Sequence, residues 1–128
     1  MIAADSSYFV ALADGKDRWH GDAVRVKGGL PSGLLISDLV VAESVTIIGA
    51  RGGGEPAQTL YEYFADECDI RFVDEGILDE AMALHLQYDG GLSVADCVSV
   101  ILMTRNGARE IASFDRDFDK VKGIRRIH

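Results

Sequence analysis

Asp115, Asp117 and Asp119 stand at alternate positions in the stretch SFDRDFDK, residues 113–120. Like charges packed so closely repel, so they call for a bound cation, a solvated turn or a share in a larger acidic site. The start Asp-x-Asp-x-Asp is that of a calcium loop of the EF-hand kind. Such a loop needs glycine at its sixth position and glutamate at its twelfth, where this chain has Lys120 and Arg126, so that chemistry is excluded. Three further acids stand where a carboxylate is informative. Asp5 follows the apolar run Met1–Ala4, Glu43 interrupts the apolar stretch LVVAESV, and Asp96 sits among Val94, Ala95, Cys97 and Val98. An acid in apolar surroundings needs a partner, because burying an unpaired carboxylate is costly. Each also has a plainer reading: Asp5 as a helix cap, Glu43 as one polar position on a packed helix, Asp96 as part of a capping box. Brought together, Asp5, Glu43, Asp96 and Asp115 make an oxygen-only cage suited to magnesium or manganese.

The elements around these acids follow from apolar periodicity and punctuation. Residues 1–4 read as a strand, and Ser6-Ser7 opens a helix that Asp14-Gly15 stops. An amphipathic segment spans residues 17–27, a turn covers 28–33, and Leu34–Ile36 is a short buried strand. Ser37 or Asp38 caps a helix to Arg51, Gly52-Gly53-Gly54 breaks the chain, and Pro56 opens a helix to about Glu67. Ile70–Val73 reads as a strand, Asp74 as the cap of a helix to Gln87, and Ser93 as the cap of a helix to Asn106. Glu110–Phe114 and Ile124–Ile127 close the pattern as strands. Strands alternating with helices predict an α/β, three-layer fold: a central, mostly parallel sheet flanked by helices, in a single domain over residues 1–128. In such sheets, sites form beyond the carboxyl ends of the strands, which is where Asp5 and Asp115 fall.

A chain of 128 residues with 48% hydrophobic and 27% charged residues is long enough to bury a core and has an ordinary globular composition. No apolar run approaches the roughly 18 residues of a membrane span, and the acid at position 5 argues against a signal peptide. Cys68 and Cys97 are expected as reduced thiols in a cytoplasmic protein. The net charge of −8 hides an asymmetry: residues 1–104 carry 17 acids and 6 bases, residues 105–128 carry 4 acids and 7 bases. The basic tail, Arg116 included, is either a track for phosphates or a solvated charged face. An Asp-x-Asp phosphatase pair is missing after the first strand, the glycine clusters lack a phosphate-loop lysine, the three histidines lack zinc spacing, and no Gly-x-Ser-x-Gly elbow occurs.

Four stretches in order, IAADSSYFVALA (2–13), ISDLVVAESVTI (36–47), LSVADCVSVILM (92–103) and IASFDRDFDKVKGI (111–124), resemble the PIN-domain nucleases, in particular VapC-like toxins of toxin–antitoxin pairs. The resemblance implies a PIN-like fold and a magnesium- or manganese-dependent endoribonuclease. By it, Asp5, Glu43 and Asp96 match metal-binding acids and Asp115 the fourth, with Asp117 as its substitute or support. Ser7 and Ser93 match polar residues that line the site, and Arg116 is expected to meet substrate. It further implies an RNA substrate, a cognate antitoxin that blocks the acidic pocket, and a homodimer. An RNA-maturation nuclease without a toxin role, and a non-catalytic module with an acidic pocket, stand beside it as alternatives.

Overall fold

The computed structural model describes all residues 1–128. Five strands form one sheet: β1 (Ile2–Ala4), β2 (Leu34–Ser37), β3 (Cys68–Arg71), β4 (Glu110–Ala112) and β5 (Arg125–Ile127). Their order is β3-β2-β1-β4-β5, and every neighbouring pair is parallel. The sheet is thus wholly rather than mostly parallel, as strands separated by crossover helices require. Six helices connect it: α1 (Ser6–Ala13), α2 (His20–Lys27), α3 (Asp38–Gly52), α4 (Gly54–Glu67), α5 (Glu75–Gln87) and α6 (Val94–Asn106).

The pleat divides the interior in two. Ala3, Leu35 and Ile111 face a core shared with Ile77 and Ala81 of α5 and Cys97, Val98, Leu102 and Met103 of α6. Their neighbours Ala4, Ile36 and Ala112 face the opposite core, filled by Phe9, Val26, Val40, Ile48, Leu60 and Phe64 of α1 to α4. That alternation produces the three layers, with α1–α4 on one face and α5 and α6 on the other. Alanines in β1 and β4 leave room for the aromatic side chains, and Phe9 meets Phe64 edge to face at 4.7 Å. No helix is long and apolar enough to cross a membrane.

Several boundaries differ from the sequence-based expectation, among them the start of α4 at Gly54 instead of Pro56 and of β5 at Arg125 instead of Ile124, and three have a local reason. Helix α2 starts at His20 instead of Asp17, because the Asp17 carboxylate accepts the Trp19 N–H at 2.9 Å and holds a turn there. Strand β3 runs from Cys68 to Arg71 instead of 70–73, since α4 passes directly into it and Leu34 pairs with Cys68. Strand β4 ends at Ala112 instead of Phe114, because the Phe114 and Asp115 N–H groups turn to serine hydroxyls. Gly107, at φ 70, ends α6 in the left-handed conformation and lets Ala108 N–H close on Met103 O at 2.9 Å.

The chain leaves β1 toward β2 and β3, then returns to place β4 on the other side of β1. The direction of winding therefore reverses between β1 and β4. A crevice opens at such a point beyond the carboxyl ends of the strands.

Candidate active site

Asp5 occupies that crevice. It is the first residue after β1 and the N-cap of α1, and it is only 3% exposed. Its Oδ1 accepts the Ser7 hydroxyl at 2.7 Å and the Tyr8 N–H at 3.3 Å, while its Oδ2 accepts the Ser113 hydroxyl at 2.8 Å. The helix-cap reading and the site reading are therefore both correct for this one side chain. Burial raises its carboxyl to about 7, against the lowering effect of the hydrogen bonds from Ser7, Ser113 and Tyr8; the Asp96 charge raises it slightly further.

Ser113, fully buried one residue past β4, also accepts the Asp115 N–H at 3.0 Å. One hydroxyl thus ties Asp5 to the loop that carries Asp115. The Ser7 hydroxyl does the same from the first turn of α1, accepting the Phe114 N–H at 2.8 Å. Beyond Asp115 the chain makes a 3₁₀ turn, Arg116–Lys120, capped by the Asp115 carboxylate on the Asp117 N–H at 2.9 Å. Phe118, fully buried in the α5–α6 core, pins that turn.

Asp96 comes from the first turn of α6, where the Ser93 hydroxyl accepts its N–H at 3.0 Å. Desolvation raises its carboxyl to about 6; Ser93 lowers it, and the charges of Asp115, Glu43 and Asp117 raise it. Asp5, Asp96 and Asp115 each offer a carboxylate oxygen, and these oxygens lie within 4.8 Å of one another. No lysine or arginine pairs with any of the three.

Glu43, Asp117, Ser7 and Ser93 line the same cavity, of about 550 Å³, together with the trio. Glu43 lies outside the tight cluster and is exposed, contrary to the apolar setting its sequence neighbours suggest. Val40, Ser44 and Ile48 face the core in α3, and Glu43 lies on the flank of that stripe. Asp117 is drawn to Lys120 at 2.9 Å. Asp119 points away from the cavity and pairs with Arg126 at 3.1 Å rather than with the nearby lysines. Arg116 is exposed and does not line the cavity. The basic tail is largely spent on ion pairs: Arg105 with Glu80, Lys120 with Asp117, Arg125 with Glu110 and Arg126 with Asp119.

Sequence reasoning missed Ser113, Trp19 and Arg51 as parts of this site. For Ser113 a signal existed: a hydroxyl two residues from Asp115 mirrors Ser7, two residues from Asp5. For Trp19 and Arg51 there was none, since tertiary packing alone brings them to the cavity wall.

The family model of the PIN domain matches residues 2–124. This chain belongs to the PIN-domain family. Among curated relatives, a 23S rRNA-specific endonuclease, VapC20 of Mycobacterium tuberculosis, is 26% identical over 120 residues, covering 92% of each chain. The crystal structure of that Mycobacterium tuberculosis protein, described as a toxin that cleaves the sarcin-ricin loop, superposes with a TM-score of 0.87 at 24% identity over 94% of each chain. A toxin–antitoxin complex from Klebsiella pneumoniae aligns at a TM-score of 0.77 and 15% identity, covering 100% of this chain and 98% of the other. VapBC2 of Rickettsia felis, bound to promoter DNA, aligns at 0.69 and 12% identity, covering 98% and 97%. These likenesses establish that the wholly parallel PIN fold extends along nearly the whole chain.

PIN nucleases use divalent metal ions, and the donor set of this PIN domain fits one. Three carboxylates converge without a balancing cation, and two of them are held far above the usual carboxylate range by burial. All the donors are oxygens, the preference of hard divalent cations.

Proposed function

We propose that this chain, acting as one PIN domain over residues 1–128, is a metal-dependent endoribonuclease and the toxin of a toxin–antitoxin pair in the cytoplasm. The observation that carries this reading is the convergence of Asp5, Asp96 and Asp115 in one crevice with no lysine or arginine paired to any of the three. The family membership and the endonuclease likeness support it. Magnesium, with manganese as its substitute, is the ion assigned to these oxygens; bound there it would offset the charge of the attacked phosphate and lower the pKa of a water.

The residues divide the remaining work. Ser7 and Ser113 hold the Asp5 carboxylate by one hydroxyl on each oxygen, so it faces the crevice in a fixed orientation. Ser93 fixes the first turn of α6 and with it Asp96. Glu43, on the cavity wall with no ion-pair partner, takes the proton from the attacking water. In-line attack forms the new P–O bond and breaks the bond to the 3′ oxygen, leaving a 5′-phosphate and a 3′-hydroxyl once that oxygen is protonated. The substrate we assign is structured RNA, ribosomal RNA first, by analogy with the relative that cuts 23S rRNA. The partner is a cognate antitoxin that covers the crevice, in keeping with the toxin–antitoxin complexes that share the fold.

Purified protein incubated with ribosomes and total RNA is expected to cut at discrete positions with magnesium or manganese and not with EDTA, with 5′-phosphates at the new ends. Uncut RNA under all metal conditions would sink the proposal. In metal titrations, Asp115→Asn is expected to weaken manganese binding by roughly tenfold or more, about 1.4 kcal/mol. Asp117→Asn should change it far less, because Lys120 already holds that carboxylate. Equal effects would reassign the fourth position.

We also propose a homodimer. Leu78, Met82 and Leu86 recur at helical spacing on α5 and stay exposed, Leu86 to 78%. A second copy laid against this stripe would remove it from water. Leu86→Glu is expected to convert a dimer to a monomer in light scattering, and an unchanged dimer would place the interface elsewhere.

A further inference from the structure

The cavity is lined by six carboxylates, Asp5, Asp17, Glu43, Asp96, Asp115 and Asp117, yet it must receive a polyanion if it cuts RNA. Its wall holds one cation, Arg51, and one aromatic ring, Trp19. The basic tail is no substitute, because four of its seven cations are already committed to carboxylates: Lys120 to Asp117 of the cavity itself, and Arg105, Arg125 and Arg126 to acids outside it.

Arg51 is held in an unusual way. Asp17 and Asp14 accept from the same nitrogen, Nη1, at 2.9 and 3.1 Å. Nε and Nη2 have no partner, so a positioned guanidinium keeps donors to spare. Such a fork matches phosphate oxygens. Trp19 is fixed just as firmly. Its ring stacks on Phe114 with a 5.5 Å centroid separation and 3° between planes, and Phe114 directly precedes Asp115. The Arg18 guanidinium lies 4.4 Å from the Trp19 centroid. Aromatic rings and guanidinium planes are the surfaces on which unpaired bases stack. Arg51 also borders a second cleft, of about 520 Å³, beside Lys16, where Gly15 and Gly52 present no side chains. The path from the acids past Trp19 and Arg51 therefore continues toward another cation.

Resting on the nuclease reading above, we infer that Trp19 and Arg51 form a grip for single-stranded RNA at the mouth of the acidic crevice. An unpaired base next to the cut displaces the exposed Arg18 guanidinium and stacks on the Trp19 ring, whose other partner is Phe114, and Arg51 holds a neighbouring phosphate through Nε and Nη2. The strand then runs over Lys16. A base locked in a duplex cannot reach Trp19, so the grip selects loops over helices.

Trp19 is the only tryptophan in the chain, which makes the test direct. With calcium in place of magnesium, an unstructured RNA dodecamer is expected to quench the intrinsic fluorescence saturably, and the corresponding duplex to leave it unchanged. By anisotropy of labelled dodecamer, Trp19→Ala and Arg51→Ala are each expected to weaken binding by roughly tenfold. Arg51→Ala should also reduce the salt slope by about one.

Arg51 has another possible role, tying α3 to the loop after α1, and Asp14→Asn separates the two. If Arg51 only braces the fold, loss of Asp14 loosens the site and weakens RNA binding. If Arg51 grips phosphate, loss of Asp14 frees it and tightens binding, and that gain shrinks in the Arg51→Ala background. Binding without quenching, or unchanged affinity in folded Trp19→Ala and Arg51→Ala proteins, overturns the grip even in a protein that cuts RNA. Quenching and the Arg51 effects without cleavage in magnesium would support the grip and overturn the nuclease reading. Neither binding nor cleavage overturns both.

Discussion

Asp96→Asn is expected to lower RNA cleavage by about a thousandfold or more while leaving the protein folded. The loss follows from the trio: removing one of three convergent carboxylates removes part of the hold on the ion, worth several kcal/mol at the transition state, and each 1.36 kcal/mol is a factor of ten. The fold survives because the bond that caps α6 uses the Asp96 N–H, which asparagine retains. Losing a charge near a helix N-terminus costs about 0.3–1 kcal/mol. Relief of repulsion from Asp115, Glu43 and Asp117 offsets part of that. Single-turnover cleavage in magnesium, beside a thermal melt of each protein, checks both halves. A folded Asp96→Asn protein that cuts within tenfold of the parent would remove Asp96 from the chemistry.

The second large effect needs no substrate. In the metal-free protein, stability is expected to fall as pH rises from about 4 to 7. Asp5 ionises near 3.8 in the unfolded chain and near 7 when folded, so between those values the native state holds a proton that the unfolded state has released. Stability then declines with pH, by at most about 4 kcal/mol across the window, and levels off above it. Asp96, raised to about 6, adds in the same direction. Asp14, Asp69 and Asp119 act oppositely, their carboxyls held low by hydrogen bonds, but their ion pairs lie at the surface, where such pairs contribute little.

Manganese should reverse the trend by binding the ionised acids, with a stabilisation that grows with pH. Asp5→Asn removes the main titrating group and should flatten the metal-free curve, making the variant harder to melt than the parent at pH 7. Melting temperatures from pH 4 to 8, with EDTA and with manganese, measure all of this. A metal-free curve that rises through that window would refute the account of Asp5.

How far the site was legible in the sequence depends on how local each position is. Asp5 and Asp115 follow strands, and Asp96 follows a capping serine, so short-range pattern places them at the sheet edge. Glu43 belongs to the right cavity, but its surroundings were misjudged. Residues adjacent in sequence point in different directions on a helix, and its apolar neighbours pack away from it. Trp19 and Arg51 reach the cavity only through contacts between α1, α3 and the loop after α1, which no local spacing encodes. The tail looked like a phosphate track because its charges were counted without partners. Glu80, the partner of Arg105, comes from α5, and Glu110 meets Arg125 only because β4 and β5 pair side by side. The end of β4 was misplaced for the opposite reason. Serine hydroxyls at Ser7 and Ser113 took over backbone donors that a longer β4 would have used.

The parallel pairing of β1 with β4 joins Ile2–Ala4 to Glu110–Ala112, segments far apart in the chain that meet only after β4 has been made. Asp5 gains the Ser113 hydroxyl, and Asp115 as a neighbour, only when synthesis has passed both of those residues. A shorter nascent chain holds Asp5, Glu43 and even Asp96, but no crevice. For the proposed nuclease, a chain that stops short of Ser113 is expected to cut no RNA, because Asp5 then lacks one of its two hydroxyl donors and Asp115 is missing from the trio.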